Sequence, residues 1–522
     1  FFDIMNESSF SNVNDNTPIL VGCAQYVEKK GTEGSNFLEI LEIVGKKALI
    51  DCESKVSLSK ELDNVTVIRF IADTPGRDST TTSMWGYPNM PKSLANSLGS
   101  EADNLIYTTT GGNSPQLAVN EVANRIKSGE VECSLIAGGE ALDTFVKRIK
   151  SGMDTDWSDD PGGKPETIGS SKDGTNDHEK IHGLMDPSSA YPLFANALRA
   201  KDGTSPAKHM QEVGELFSKF SKVASENEFA WYPTYRSAED IAEIKPENRL
   251  IGFPYTKYMN SVMRVNQSSA LVMMSAKKAR EMEIPESKWV FMHAGACLDE
   301  VFYLSERADY HSSPAIKACT DSIFDLSGTT QEQMDFLDIY SCFPSAVQIA
   351  IKELGISPDD PRGLTLTGGL PYFGGPGNAY VLNSMASMME ELRKKPNTFG
   401  LVTSNGWYLT KHGAGIFSTK PFEGEWDQVV DTTDMQKEIN NTNKPNFTET
   451  PEGEAIIETY TVVHSREGPA KAIIIGRLED GTRFISNTEK DPVILNKMIQ
   501  EEMLGTRGTV SFNGKKNIFT PN

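Results

Sequence analysis

Four short stretches carry the residues best suited to chemistry. In Gly111-Gly112-Asn113-Ser114-Pro115, two glycines let backbone approach a ligand, Ser114 is a favourable N-cap and Pro115 suits the first helical position. Such a strand-to-helix turn can hold an oxyanion on backbone alone, although a tight turn without a ligand has the same composition. In DIYSCFPSAV, Cys342 is a candidate nucleophile facing the same cleft, or a small buried hydrophobe. Tyr340 is a candidate acid or base if neighbours lower its pKa, or a hydrogen-bonded core tyrosine. His412, in LVTSNGWYLTKHGAG, is the histidine closest to these loops, and its titration range suits proton transfer; a single ring bracing a loop is the alternative. Asn113, Asn378 and Asn405 each offer an amide to a carbonyl oxygen or to a local turn.

A fifth string, His178-Glu179-Lys180-Ile181-His182, matches HExxH, in which two histidines one helical turn apart bind zinc. Here it lies in a polar loop between Gly174 and Gly183, with no evident third ligand, so no metal site is expected.

These loops need a rigid frame. PILVGCAQY reads as a strand, Phe37 to Asp51 as a helix, Leu105 to Tyr107 as a short strand, about Pro115 to Lys127 as a helix, and CSLIAGGEAL as a buried strand. From 153 to 258 the character changes to polar loop and helical pieces, read as an insertion covering one face. Alternation resumes through SSALVMMSAKKAREM, KWVFMHAGA, SPAIKACTDSIFDL, FLDIY, PSAVQIAIKEL, a helix over about 379–394 and GLVTSNGWYL. Two α/β halves are therefore expected: 16–152 completed by 259–296, and 297–420. Beyond a polar linker, IIETYTVVH, AKAIIIGRL and TRFISN alternate with period two, with EDG as a hairpin turn, so 426–522 reads as a small β domain.

The chain has 522 residues, enough for roughly three to four structural units at about 150 residues each. Its formal charge of -21 repels phosphate backbones and anionic lipid, so neither nucleic acid nor membrane is an expected partner; a local pocket for a phosphorylated cofactor is compatible with it. Cys23, Cys52, Cys133, Cys297, Cys319 and Cys342 show no CxxC pairing and read as reduced thiols. With no apolar run of about 20 residues and a polar N-terminal stretch, a cytoplasmic location is expected.

The order of pieces from Pro18 to Ser418 resembles the thiolase superfamily. The loops GGNSPQ, DIYSCFPSA, GGLPYFGGPGN and SNGWYLTKHGAG, followed by a β domain, are similar to thiolase-like proteins of type 1, which are often labelled acetyl-CoA acetyltransferases. The resemblance implies a thiolase fold with an inserted loop domain and an added OB-like barrel. It places Gly112 where thiolases carry the nucleophilic cysteine, Gly375 where they carry the activating histidine, and Asn405 where they carry a second cysteine. Without a thiolate at Gly112 no covalent acyl-enzyme forms there. The resemblance implies an acyl-CoA-handling protein in lipid metabolism, an acyltransferase relative that is not an ordinary condensing thiolase. Gly112, Asn113, Ser114, Asn378 and Asn405 would surround a thioester carbonyl, and Tyr340 and His412 would move protons. The alternatives are a non-catalytic acyl-CoA binding or scaffold protein and a retro-aldol lyase using Tyr340, whose setting resembles that of a tyrosine in thiolase-like aldolases. Coenzyme A thioester is the expected ligand, with no tightly bound cofactor. A homodimer, or a protein partner engaged through the C-terminal domain, is the expected assembly.

Overall fold

The computed structural model describes residues 10–73 and 86–522. Its frame is a nine-stranded sheet in the order β3-β2-β4-β7-β1-β8-β11-β10-β9. In chain order these are β1 (Pro18–Val27), β2 (Asn64–Val67), β3 (Asn104–Tyr107), β4 (Cys133–Ala141), β7 (Asn266–Ser275), β8 (Val290–Asp299), β9 (Phe336–Asp338), β10 (Phe399–Gly406) and β11 (Lys411–Ser418), with β5 (Leu250–Gly252) and β6 (Tyr255–Thr256) in the insertion. The halves meet where β1 and β8 pair through Ile19–Phe291 and Leu20–Val290, and outward from that seam each side runs first strand, last strand, next-to-last strand, second strand, with β3 added at the outer edge of the first half. The duplication that sequence alone leaves unproved is thus visible in the topology.

β4, β7 and β11 are buried along their whole lengths because helices cover both faces, which is why they read as continuous apolar or small-residue runs. Helices Ser114–Ser128 and Tyr380–Lys394 touch strands of both halves and form the central layer, while Phe37–Asp51 and Pro314–Ser327 each pack on the strands of one half. β8 pairs with β11 over most of its length, so the boundary between the halves precedes Val290 rather than following residue 296.

The insertion wraps the frame. Its backbone at Glu166 pairs with the outer edge of β3, Glu166 N–H donating to Leu105 and Tyr107 N–H to Glu166, which blunts an edge otherwise open to another chain. Helix Pro187–Asp202 lies between Pro344–Leu354 of the second half and the C-terminal domain. That domain is a closed five-stranded barrel of β12 (Gly453–Ser465), β13 (Gly468–Leu478), β14 (Arg483–Asn487), β15 (Arg507–Phe512) and β16 (Asn517–Pro521), with helix Pro492–Gln500 between its third and fourth strands. It begins later than residue 426. Trp426 donates its indole N–H to Met292, and Gln436, on the helix Thr433–Asn440, bonds to Asp299, so this stretch packs on β8 instead.

Candidate functional site

The two central helices start from glycine-rich loops at the same end of the sheet, and the loops are tied together there. Gly111 N–H donates to Asn378 Oδ1 at 3.1 Å, and Asn378 Nδ2 donates to the Arg69 carbonyl at 2.8 Å. Buried Asp338, at the end of β9, accepts from Leu366 and Thr367 N–H and fixes the second loop. Between them lies a cavity of about 440 Å³ bounded by Gly111 and Gly112, by Tyr340, Cys342 and Phe343, by Gly375, Gly377 and Asn378, and by Asn405 to Tyr408. All four loops singled out in the sequence therefore meet at one place.

At Gly112 the decisive feature is what fills the missing side chain's volume. A Cβ there would lie 2.5 Å from the Tyr340 hydroxyl oxygen and 2.3 Å from the Asn405 carbonyl oxygen. The phenol of one loop stands where a nucleophile of another would project. Tyr340 is held by its N–H to Thr403 Oγ1 and by an edge-on contact with Tyr380, while its hydroxyl makes no hydrogen bond among the described residues. Burial, with Cys342 and Tyr380 adding to it, raises this phenol well above the ordinary tyrosine value. It is a neutral proton donor, not a base. The Gly112 and Asn113 N–H groups, at the start of helix Ser114–Ser128, also make no hydrogen bond among the described residues.

Cys342 is buried and burial pushes its thiol up to about 12, so it is protonated at neutral pH and poorly suited to nucleophilic attack. Asn405 Nδ2 faces Cys342 Sγ at 3.9 Å and donates to the Tyr191 hydroxyl at 2.8 Å, while Asn405 Oδ1 has no hydrogen-bond partner among the described residues. Tyr191, from the inserted helix, stacks on Phe343 with ring centroids 4.5 Å apart.

Other expected residues lie elsewhere. Ser114 is the first helical residue and not the cap; its hydroxyl donates back to the Thr109 carbonyl at 2.7 Å, and Pro115 follows as the second. Asn113 is the cap residue, but its side chain lines a separate cavity of about 180 Å³ with Asp299 and Lys411. Asn378 lines the main cavity, yet its amide is engaged by backbone. His412 is not on the main cavity wall. It stands opposite Asn405 in the β10–β11 hairpin and lines a void of about 20 Å³ bordered also by Tyr340 and Asn405. Its Nε2 bonds to the Leu409 carbonyl at 3.1 Å, and burial lowers its pKa to about 4, so it is a neutral brace. At Gly375 a Cβ would lie 2.6 Å from Ser261 Oγ and 3.3 Å from the Val262 carbonyl oxygen, so a side chain there requires Ser261 to turn aside.

The HExxH string is a joint between insertion and barrel. His182 bonds through Nδ1 to the His178 carbonyl and through Nε2 to Asn517 N–H, while Glu179 accepts from Ser305 N–H and Asn176 N–H. Among the described residues no group of three metal-ligating side chains comes together.

Sequence reading missed Tyr191, Trp407 and Asp186 on the cavity wall. Tyr191 and Asp186 lie in the insertion, far along the chain from the four loops. Trp407 carried a signal: it is a bulky residue in a four-residue turn between strands, and it adopts φ of 53°.

The C-terminal stretch 434–515 matches the family profile described as "Thiolase-like protein type 1 additional C-terminal domain". Nearly the whole chain superposes on a monomeric SCP2-thiolase like protein type 1 from Mycobacterium smegmatis, with 33% identity and a TM-score of 0.83 over 97% of this chain and 99% of that one. The chain belongs to the thiolase-like protein type 1 family. This type 1 protein also shares its fold with the dimeric peroxisomal thiolase of Saccharomyces cerevisiae, at 16% identity and a TM-score of 0.54 over 78% and 98% of the two chains. The Ltp2-ChsH2(DUF35) aldolase is similar at 15% identity and a TM-score of 0.56, over 78% and 98%. No curated protein matches the sequence. Among the described residues no helix is long and apolar enough to cross a membrane.

Proposed function

We propose that the cavity receives the thioester end of an acyl-CoA and polarises its carbonyl without forming a covalent intermediate. The observation that carries this reading is the Tyr340 hydroxyl beside Gly112, just ahead of a buried helix: among the described residues neither this hydroxyl nor the N–H groups of Gly112 and Asn113 have a hydrogen-bond partner. A neutral phenol and backbone N–H groups together suit a carbonyl oxygen that gains negative charge. Asp186 is the one charged residue among those described on the wall, so a neutral pantetheine arm and acyl group suit the interior while the nucleotide phosphates stay outside.

The reading is tested by titrating the protein with acetyl-CoA and longer acyl-CoAs and recording intact mass. Reversible binding without an acyl adduct is expected, and Tyr340→Phe should weaken it about tenfold, the value of one hydrogen bond near 1.4 kcal/mol. A stable adduct on any residue, or equal affinity in Tyr340→Phe, would overturn it.

Carbon–carbon cleavage is the second reading, favoured by the phenol's ability to protonate an enolate. It needs a base, for which Asp186 is the carboxylate on the wall. In that step the base takes the 3-hydroxyl proton, the C2–C3 bond breaks and the phenol protonates C2; release of a shorter acyl-CoA together with an aldehyde or ketone from a 3-hydroxyacyl-CoA, abolished in Tyr340→Phe, separates an enzyme from a binding protein.

A further inference from the structure

The turn between β10 and β11, Trp407 to Thr410, is a strained element on the cavity wall. Trp407 and Leu409 have φ of 53° and 52°, a left-handed conformation costing about 1–2 kcal/mol per residue with a side chain. Its four carbonyls are each taken by a different residue. Trp407 O accepts from Tyr191 Oη at 2.9 Å, Tyr408 O from Arg307 Nη2 at 2.8 Å, Leu409 O bonds to His412 Nε2 at 3.1 Å, and Thr410 O accepts from Glu300 N–H at 2.7 Å.

Arg307 is 3% exposed and also donates to Thr410 Oγ1 at 3.0 Å. A buried guanidinium needs its backbone fixed, and the barrel supplies that restraint. Arg483 of β14, its side chain wholly buried, donates to the Arg307 carbonyl and, at 3.2 Å, to the Ala308 carbonyl. Glu458 of β12 holds Arg483 through oxygens at 2.7 Å and 3.0 Å. A continuous line of charge-assisted bonds therefore runs from the barrel, through two arginines, to the turn that presents Trp407 to the cavity.

We infer that the added C-terminal barrel is a positioning device for the ligand cavity, acting through Arg483 and Arg307 on the β10–β11 turn. A rigid planar fork bridging one carboxylate and two carbonyls is a task that lysine performs poorly. Arg477 provides the internal control, since it also pairs with Glu458 but faces the barrel's own Gly481.

The test uses the full chain labelled with 5-fluorotryptophan, the Trp407 resonance being assigned by loss in Trp407→Phe. Arg483→Met should shift and broaden that resonance and weaken a non-hydrolysable thioether analogue of acetyl-CoA about tenfold, with Arg483→Lys intermediate and Arg477→Met within about twofold of the parent. Thr410→Val removes the Oγ1 that accepts from both Arg307 Nη2 and Tyr408 N–H, so it sets the size of the resonance change that a loosened turn produces, and Arg483→Lys reads the barrel's part if Arg483→Met fails to fold. The ligand arm rests on the carbonyl-binding reading, whereas the fluorine arm does not. If the parent fails to bind the analogue while the resonance responds, that reading falls and the positioning role stands. An unmoved Trp407 resonance in folded Arg483→Met, or in Arg483→Lys if the methionine variant fails to fold, would overturn the inference.

Discussion

Restoring the cysteine that thiolases carry, by Gly112→Cys, should damage this protein and fail to create an acyl-enzyme. Gly112 does not occupy the left-handed region that favours glycine, so the cost is steric. The new Cβ would sit 2.3 Å from the Asn405 carbonyl oxygen, 2.5 Å from Tyr340 Oη and 3.0 Å from Tyr340 Cζ. Overpacking typically costs about 1–3 kcal/mol, and because one obstacle is backbone that cannot swing aside, the upper end is expected. For a chain of this size that is a fall of roughly 2–3 °C in Tm. Tyr340→Ala removes the phenol but not the carbonyl, so the double variant should be less destabilised than the sum of the singles by about 1–2 kcal/mol. Calorimetry of the four proteins measures this coupling, and intact mass after exposure to acetyl-CoA reports acylation. A Gly112→Cys protein as stable as its parent, or one that becomes acetylated, would show that Tyr340 does not hold the nucleophile's space.

Three further outcomes follow from the site and its surroundings. Tyr191→Phe removes the hydroxyl that serves Trp407 O, Leu409 N–H and Asn405 Nδ2; with buried groups left unpaired it should cost about 2–4 kcal/mol in denaturant unfolding and weaken acyl-CoA binding. Burial holds His182 and His209 neutral, each lowered from 6.5 to about 4, so their unfolded forms take up protons first. Their contribution is present above pH 6.5 and is lost as pH falls towards 4, and His209→Gln should flatten that acid limb of the Tm profile. Glu140 behaves in the opposite sense: burial raises it from 4.5 to about 8, so the folded state binds the proton more tightly, and the stability it contributes is fully present below pH 4.5, is lost as pH rises from 4.5 to about 8, and changes no further above that. Glu140→Gln, which keeps the neutral shape that accepts from Ile71 N–H, should remove that decline between pH 4.5 and about 8.

The alternation of strands and helices was legible because β4, β7 and β11 are buried along their whole lengths and because a barrel strand such as β12 alternates between interior and surface. The four loops could be found because glycine pairs, Asn and Ser-Pro punctuate the junctions where central helices begin. Boundaries were less legible: β8 belongs to the second half and the stretch from Trp426 packs on it, both decided by pairing partners more than a hundred residues away.

The missing cysteine at Gly112, and hence the absence of a thiolate at that position, is set by the sequence alone, since no fold gives glycine a nucleophile. What occupies the vacated volume is decided by tertiary structure. Tyr340 and the Asn405 carbonyl reach Gly112 from the ends of β9 and β10, while His412, a few residues from Asn405, is turned into a brace for the turn beside it. Residue types limit which chemistry is possible, but whether a phenol meets a ligand or an imidazole meets a carbonyl depends on distances and burial set by elements remote in sequence.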